Sequence, residues 1–333
     1  MSRLGRPIRA AAGLATVMVL SLTASGCVTV HGELAVLPSA DRSEAARALK
    51  DFTDAYNAAD KAYDPALDAG RVTGALGAIN QAGLKARSIT SPDGNPAHQP
   101  LELADAKFTI PKKAGWPRWF VADTDSNRDT DDGGPQDTRW VLVFVRNGPD
   151  ERWKVPYLTI LAANEVPDFA TDKDGWGEPV APDSEGLALA PGKLSAAYAS
   201  YLRDGTAKTF ADGPHTNGWR EAREKNARLP GLVTQYVDQP LAEGDFAPLG
   251  LATKDGGALV FFATRHFERQ TGAQGVTPRV NADVKALLTG EIRNTVTKEW
   301  VSSQVALVPR AGSDTPTVEV ASRLQGVTGA KGS

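Results

Sequence analysis

One cysteine, four histidines and two methionines in 333 residues leave little of the chemistry that marks most catalytic or metal centres. The single thiol, Cys27, has no partner for an internal disulfide, so the cores must hold the fold unaided. No Gly-x-Ser-x-Gly, His-Glu-x-x-His or phosphate-loop pattern occurs, and Gly70, Gly74 and Gly77 have the wrong spacing for a dinucleotide turn. Basic excess is missing too. Lys and Arg total 37 against 40 Asp and Glu, a net charge of −3, without the basic face that phosphate neutralisation needs; this argues against a nucleic-acid partner. The apolar run over residues 10–23 is shorter than the roughly 20 residues of an ordinary membrane-spanning helix.

That run is informative for what surrounds it. Arg3, Arg6 and Arg9 precede it, the charged-then-apolar order of a secretory signal. It closes on Leu22-Thr23-Ala24-Ser25-Gly26-Cys27, which resembles the lipobox of bacterial lipoproteins. The resemblance implies a signal peptide over residues 1–26, cleavage before Cys27 and a diacylglycerol on its sulfur. Membrane lipid then becomes a partner and the extracytoplasmic face of the cell membrane the location, since two acyl chains anchor stably where one is marginal. The alternatives are a small buried thiol or an uncleaved anchor. Removing the three arginines takes the mature chain to about −6.

Downstream, a pattern of hairpins occurs twice. Residues 108–110 and 116–122 flank Lys112-Lys113-Ala114-Gly115, and residues 249–252 and 258–263 flank Lys254-Asp255-Gly256-Gly257. Residues 140–145 then lead through Arg146-Asn147-Gly148-Pro149-Asp150 into 153–161, as 304–308 lead through Arg310-Ala311-Gly312-Ser313-Asp314 into 317–321. Glycine-containing turns between β-branched and aromatic runs are hairpin signals. Helical sequence precedes each set. Ala45, Leu49, Phe52, Tyr56, Ala59 and Tyr63 form one apolar stripe, with Asp41 and Glu44 spaced as a capping box. Leu194, Tyr198 and Tyr201 precede Asp204-Gly205, and a further helix is expected over 217–229.

These signals predict an α+β fold of two tandem domains, 41–161 and 194–326. Between them, residues 162–193 hold four prolines, four glycines and seven acidic residues, which reads as a linker or a long ordered loop. Residues 27–40 would form a lipidated tether and 327–333 a fraying tail. Helix first, then an antiparallel meander, resembles the cystatin-like and nuclear transport factor two-like cones over residues 40–326. The resemblance implies a curved sheet wrapped on one or two helices, with a concave face that in some relatives holds a small ligand and in others packs a partner. It carries no family residue onto this chain.

The candidate chemistry is sparse. His266 and Glu268 share a strand face with Val260, Phe262 and Thr264, which suits either an acid/base pair in a cone pocket or a histidine on a solvated rim. Trp119 and Trp140 could line a ligand cavity or fill a core. Asp123, Asp125, Asn127, Asp129 and Asp131 place oxygen side chains at every second position, as in the first half of a calcium loop. The turn glycine and the twelfth-position glutamate are missing, so a weak calcium site is set against a solvated acidic loop. No other cofactor is expected. The expected function is a membrane-anchored module that binds a small ligand or an envelope protein; the alternative is a cofactor-independent enzyme of the nuclear transport factor two-like kind.

Overall fold

The computed structural model describes residues 35–130, 133–134 and 136–333. Cys27, the signal peptide and most of the tether lie outside the described residues.

The first helix, α1 (Arg42–Ala62), begins where Asp41 Oδ1 accepts the Glu44 amide at 2.7 Å. The other half of the expected capping box is absent, because the Glu44 carboxylate turns away to Arg146 and to the Trp153 indole, each at 3.1 Å. The predicted stripe is the buried face: Ala45, Leu49, Phe52 and Ala59. A second helix, α2 (Gly74–Thr90), follows, and the three glycines in its sequence mask it as a helix. Its first residue, Gly74, has φ +54°, and a Cβ there would lie 2.4 Å from the carbonyl oxygen of Asp245, so the helix start is pressed against the second half of the chain.

Two sheets follow. In the first, β2 (Leu103–Thr109), β4 (Arg118–Ser126), β5 (Thr138–Arg146) and β6 (Lys154–Ala162) form an antiparallel meander, while β1 (Val36–Pro38) pairs separately with β3 (Lys112–Ala114). The second half opens with α3 (Leu194–Asp204), stopped by Gly205 at φ 67°, and α4 (Asn217–Ala227). Its sheet is built on β11 (Ala258–Gly272), β13 (Thr295–Val308) and β14 (Glu319–Gly332). Along β11, β9 (Leu232–Leu241) and β10 (Leu249–Ala252) lie end to end. Short strands β7 (Pro179–Val180), β8 (Arg228–Leu229) and β12 (Leu288–Thr289) complete the eight, and α5 (Ala282–Ala286) covers one end. Each half therefore runs helices first, then mainly antiparallel strands.

Alternation along the strands stacks these parts in four layers. Phe120, Leu142 and Phe144 face α1. Trp119, Val121 and Val143 face the second sheet, where they meet Leu259, Phe261 and Val305. Val260, Phe262 and Ala306 turn the other way, onto Leu194, Tyr198 and Leu202 of α3. Both faces of β4, β5 and the first half of β11 are largely buried, and residues 35–333 form one compact unit.

Of the two readings of residues 162–193 the ordered loop is the one found, and the expectation for the tail changes. Residues 162–193 are an ordered strap: Phe169 packs into the layer between the sheets, Trp176 packs on the α1 side, and the Gly177 amide donates to Ile110 O at 2.9 Å. Residues 327–333 do not fray. Val327 to Gly332 pair with β13, and Ser333 exchanges two 3.0 Å backbone hydrogen bonds with Thr295.

Candidate functional site

Between the first sheet and the end of β14 lies a cavity of about 500 Å³. Leu76 and Ile79 of α2, Trp140 of β5, Leu158 of β6, Val284 of α5 and Leu324 of β14 make its apolar wall. Polar groups are few: Asn80, Arg87, Asn281 and Asp283. The Arg87 guanidinium rests over the Tyr63 ring at 5.3 Å, and its Nε is enclosed without a partner among the described residues. An apolar wall with a few placed polar groups is the general form of a small-molecule seat.

One wall of the cavity is braced by a buried carboxylate. Asp68 is fully buried and accepts from the side-chain amides of Asn80 and, at 2.5 Å, Gln81. Burial outweighs these hydrogen bonds and raises its pKa from 3.8 to about 6. The folded form thus holds a proton that the unfolded chain has released, so Asp68's contribution to stability is full below about pH 4 and is lost as pH rises through 6. We expect denaturant unfolding of wild type to show this fall, worth about 2–3 kcal/mol, and Asp68→Asn to flatten it. An identical pH profile in the variant would contradict the assignment.

The sequence-predicted aromatic pair is divided. Trp119 and Trp140 sit on opposite faces of the first sheet: Trp119 belongs to the layer between the sheets, and only Trp140 reaches the cavity. His266 and Glu268 do share a face, yet each is taken by the residue across from it on β13. His266 is 2% exposed and stacks on Trp300 at 5.7 Å, while Glu268 pairs with Lys298 at 2.7 Å. Burial first, then Arg223, Arg323 and Lys298, hold the imidazole pKa down to about 2. It is neutral at physiological pH, and Asp238, across from it on β9, is held by Arg223 at 2.8 and 3.0 Å.

The acidic loop is likewise not assembled into a cation site among the described residues. Asp123 is bound by Arg139 Nε at 2.7 Å, and the same guanidinium reaches Asp105 at 3.1 Å. Asn127 accepts the Glu102 amide at 3.0 Å, and Asp129 accepts the Thr138 amide at 2.6 Å. Asp125 lines a polar cleft of about 540 Å³ with Asp123, Asp137 and Arg139; Asp131 lies outside the described residues. The alternating oxygens come from β4, whose side chains alternate faces, and from the turn after it, where each finds a different partner. Arg139, 16 residues beyond Asp123, carries no local signal of this pairing.

The chain matches the family described as Domain of unknown function (DUF8094) over residues 36–332. It belongs to the DUF8094 family. The DUF8094 match spans both sheets, so the cavity lies within a single family domain. An uncharacterized lipoprotein of Streptomyces coelicolor, SCO2278, is 59% identical over 319 residues, covering 96% of this chain and 94% of the relative. An uncharacterized lipoprotein of Streptomyces avermitilis is 57% identical over 323 residues, covering 97% and 94%. A more distant lipoprotein of Streptomyces coelicolor, SCO6871, is 27% identical over 328 residues, covering 89% and 87%. No solved structure matches this DUF8094 chain.

Proposed function

We propose that the chain is a lipoprotein, anchored through Cys27 on the extracytoplasmic face of the membrane, whose DUF8094 domain binds a small apolar ligand. The cavity of about 500 Å³ around Trp140 carries this reading. The lipobox-like run and the printed names of the relatives support the anchor. The repeated order of helices, then antiparallel strands, supports a duplicated, cystatin-like origin for the two halves. A binding role fits better than acid/base catalysis, because His266 is held neutral while Glu268 is held by Lys298.

Two arms test the proposal. Cys27→Ala should move the protein from the membrane to the soluble fraction; unchanged sedimentation with membranes would reject the anchor. For the cavity, the probe is the dye 1-anilinonaphthalene-8-sulfonate, and the variant is Gly83→Leu. Gly83 lines the cavity, and a Cβ there meets only the flexible end of Arg87, at 3.3 Å. Dye affinity should fall roughly ten-fold or more, the scale of about 1.4 kcal/mol of binding free energy. Undiminished binding would place the dye elsewhere and remove the support.

A further inference from the structure

The wall of the cavity around Trp140 carries one half-buried positive charge. Arg87 of α2 folds back along its own helix, so that a terminal nitrogen lies 3.3 Å from the point where a Cβ on Gly83 would sit. Both residues line the cavity. Gly83, one turn earlier on the same face, leaves open the space in which the guanidinium lies.

Among the described residues this guanidinium has neither an ion pair nor a hydrogen-bond acceptor. Its contact is the Tyr63 ring at 5.3 Å, and Nε is enclosed with nothing accepting from it. Native folds rarely leave such a donor unpaired. Tyr56, also on the cavity wall, brings a hydroxyl without a partner among the described residues. Burial first, then Asp60, raise its pKa against the pull of Arg87, so the phenol stays a neutral donor at physiological pH.

The carboxylates nearby are engaged or open to water. Asp60 is held by His98 at 2.8 Å and Asn95 at 3.0 Å, and Asp68 by Asn80 and Gln81. Asp283 shares the cavity, but it is exposed and accepts Thr90 Oγ1 at 3.3 Å. That difference in exposure decides which charge an occupant must answer. A molecule filling the cavity takes water from Arg87 and leaves Asp283 its own. A neutral occupant would strand the guanidinium, and a desolvated charge without a partner is costly. A carboxylate would instead accept two charge-assisted hydrogen bonds from its planar fork.

We infer that the ligand of this cavity is an anionic amphiphile, an alkyl carboxylate whose head accepts from Arg87 and Tyr56 and whose tail lies against Leu76, Trp140, Leu158 and Leu324. The inference rests on the cavity being a ligand site and adds the charge of what enters it.

The test is titration calorimetry on the full chain carrying Cys27→Ala, so that no acyl chain of its own competes. Three probes share one tail: decanoate, decanol and decyltrimethylammonium. Decanoate should bind roughly ten-fold tighter than decanol, with the ammonium weakest. Arg87→Gln should lower decanoate affinity by roughly the same factor at unchanged decanol affinity, and Arg87→Lys should keep part of the preference. Decanol or the ammonium binding as tightly as decanoate would overturn the inference while leaving the cavity a ligand site. Undiminished decanoate binding in Arg87→Gln or in Gly83→Leu would overturn it as well. If none of the three probes binds, the cavity is no ligand site and both proposals fall. Should Arg87→Gln fail to fold, the wild-type ranking of the probes decides alone.

Discussion

Asp238→Ala is expected to destabilise the protein by about 3–5 kcal/mol. Asp238 and Arg223 side chains are 3% and 7% exposed, and they meet through two hydrogen bonds. The guanidinium is further enclosed by the Trp219 and Tyr236 rings, at 5.2 and 4.7 Å. Removing the carboxylate strands Arg223 in that enclosure, close to a second arginine, Arg323. The penalty arises from the uncompensated guanidinium that remains, more than from the two hydrogen bonds removed. Replacing both partners by apolar residues, Arg223→Met with Asp238→Leu, should therefore cost far less than the single change. Urea unfolding at neutral pH would show a lowered midpoint at unchanged slope for Asp238→Ala. A loss under 1 kcal/mol would mean that water reaches the pair. The exposed pair Lys50–Asp54, with side chains 73% and 63% accessible, provides the contrast; its removal should be close to neutral.

Phe261→Ala is expected to cost about 3–5 kcal/mol, and its readout tests how the halves are coupled. Phe261 is fully buried between the sheets, with Tyr157 of the first sheet at 6.2 Å between ring centres. The same layer holds Trp119, Val143 and Leu161 from the first sheet against Leu259 and Val305 from the second. The packing that the substitution removes thus belongs to both halves at once. Tryptophan emission, dominated by the first half, and binding-independent backbone signals should shift to lower denaturant together. Two separated transitions, with only the later half of the chain weakened, would show that each sheet stands on its own layer of helices.

Local patterns were the legible part of this molecule. The apolar stripe of α1, the Gly205 stop of α3 and the paired hairpins each depend on a few neighbouring residues, and they appear where the sequence places them. Helix α2 was not legible, because its glycines lower helix propensity and its reason for being helical lies in what it packs against, β6, β13 and β14. The strap was ambiguous for a related reason: acidic and proline-rich composition describes the solvent-facing side of a segment, while Phe169 and Trp176 hold the other. At the sites, type and spacing misled where partners come from across a sheet. Glu268 looked like a companion for His266 until Lys298 and Trp300 on β13 took one each. Trp119 and Trp140 looked equivalent, yet their places in the register put them on opposite faces.

The position of β14 has a consequence for how the chain is made. This strand, the last fourteen residues but one, sits between β12 and β13 and also touches α2 and β6 near the cavity. Until β14 has been made, the second sheet has an open edge at β13, the cavity lacks the wall that Leu324 supplies, and α2 lacks part of the surface it lies on. Pairings this distant in sequence form late. A ribosome-bound chain would remain loose in its centre until β14 emerges.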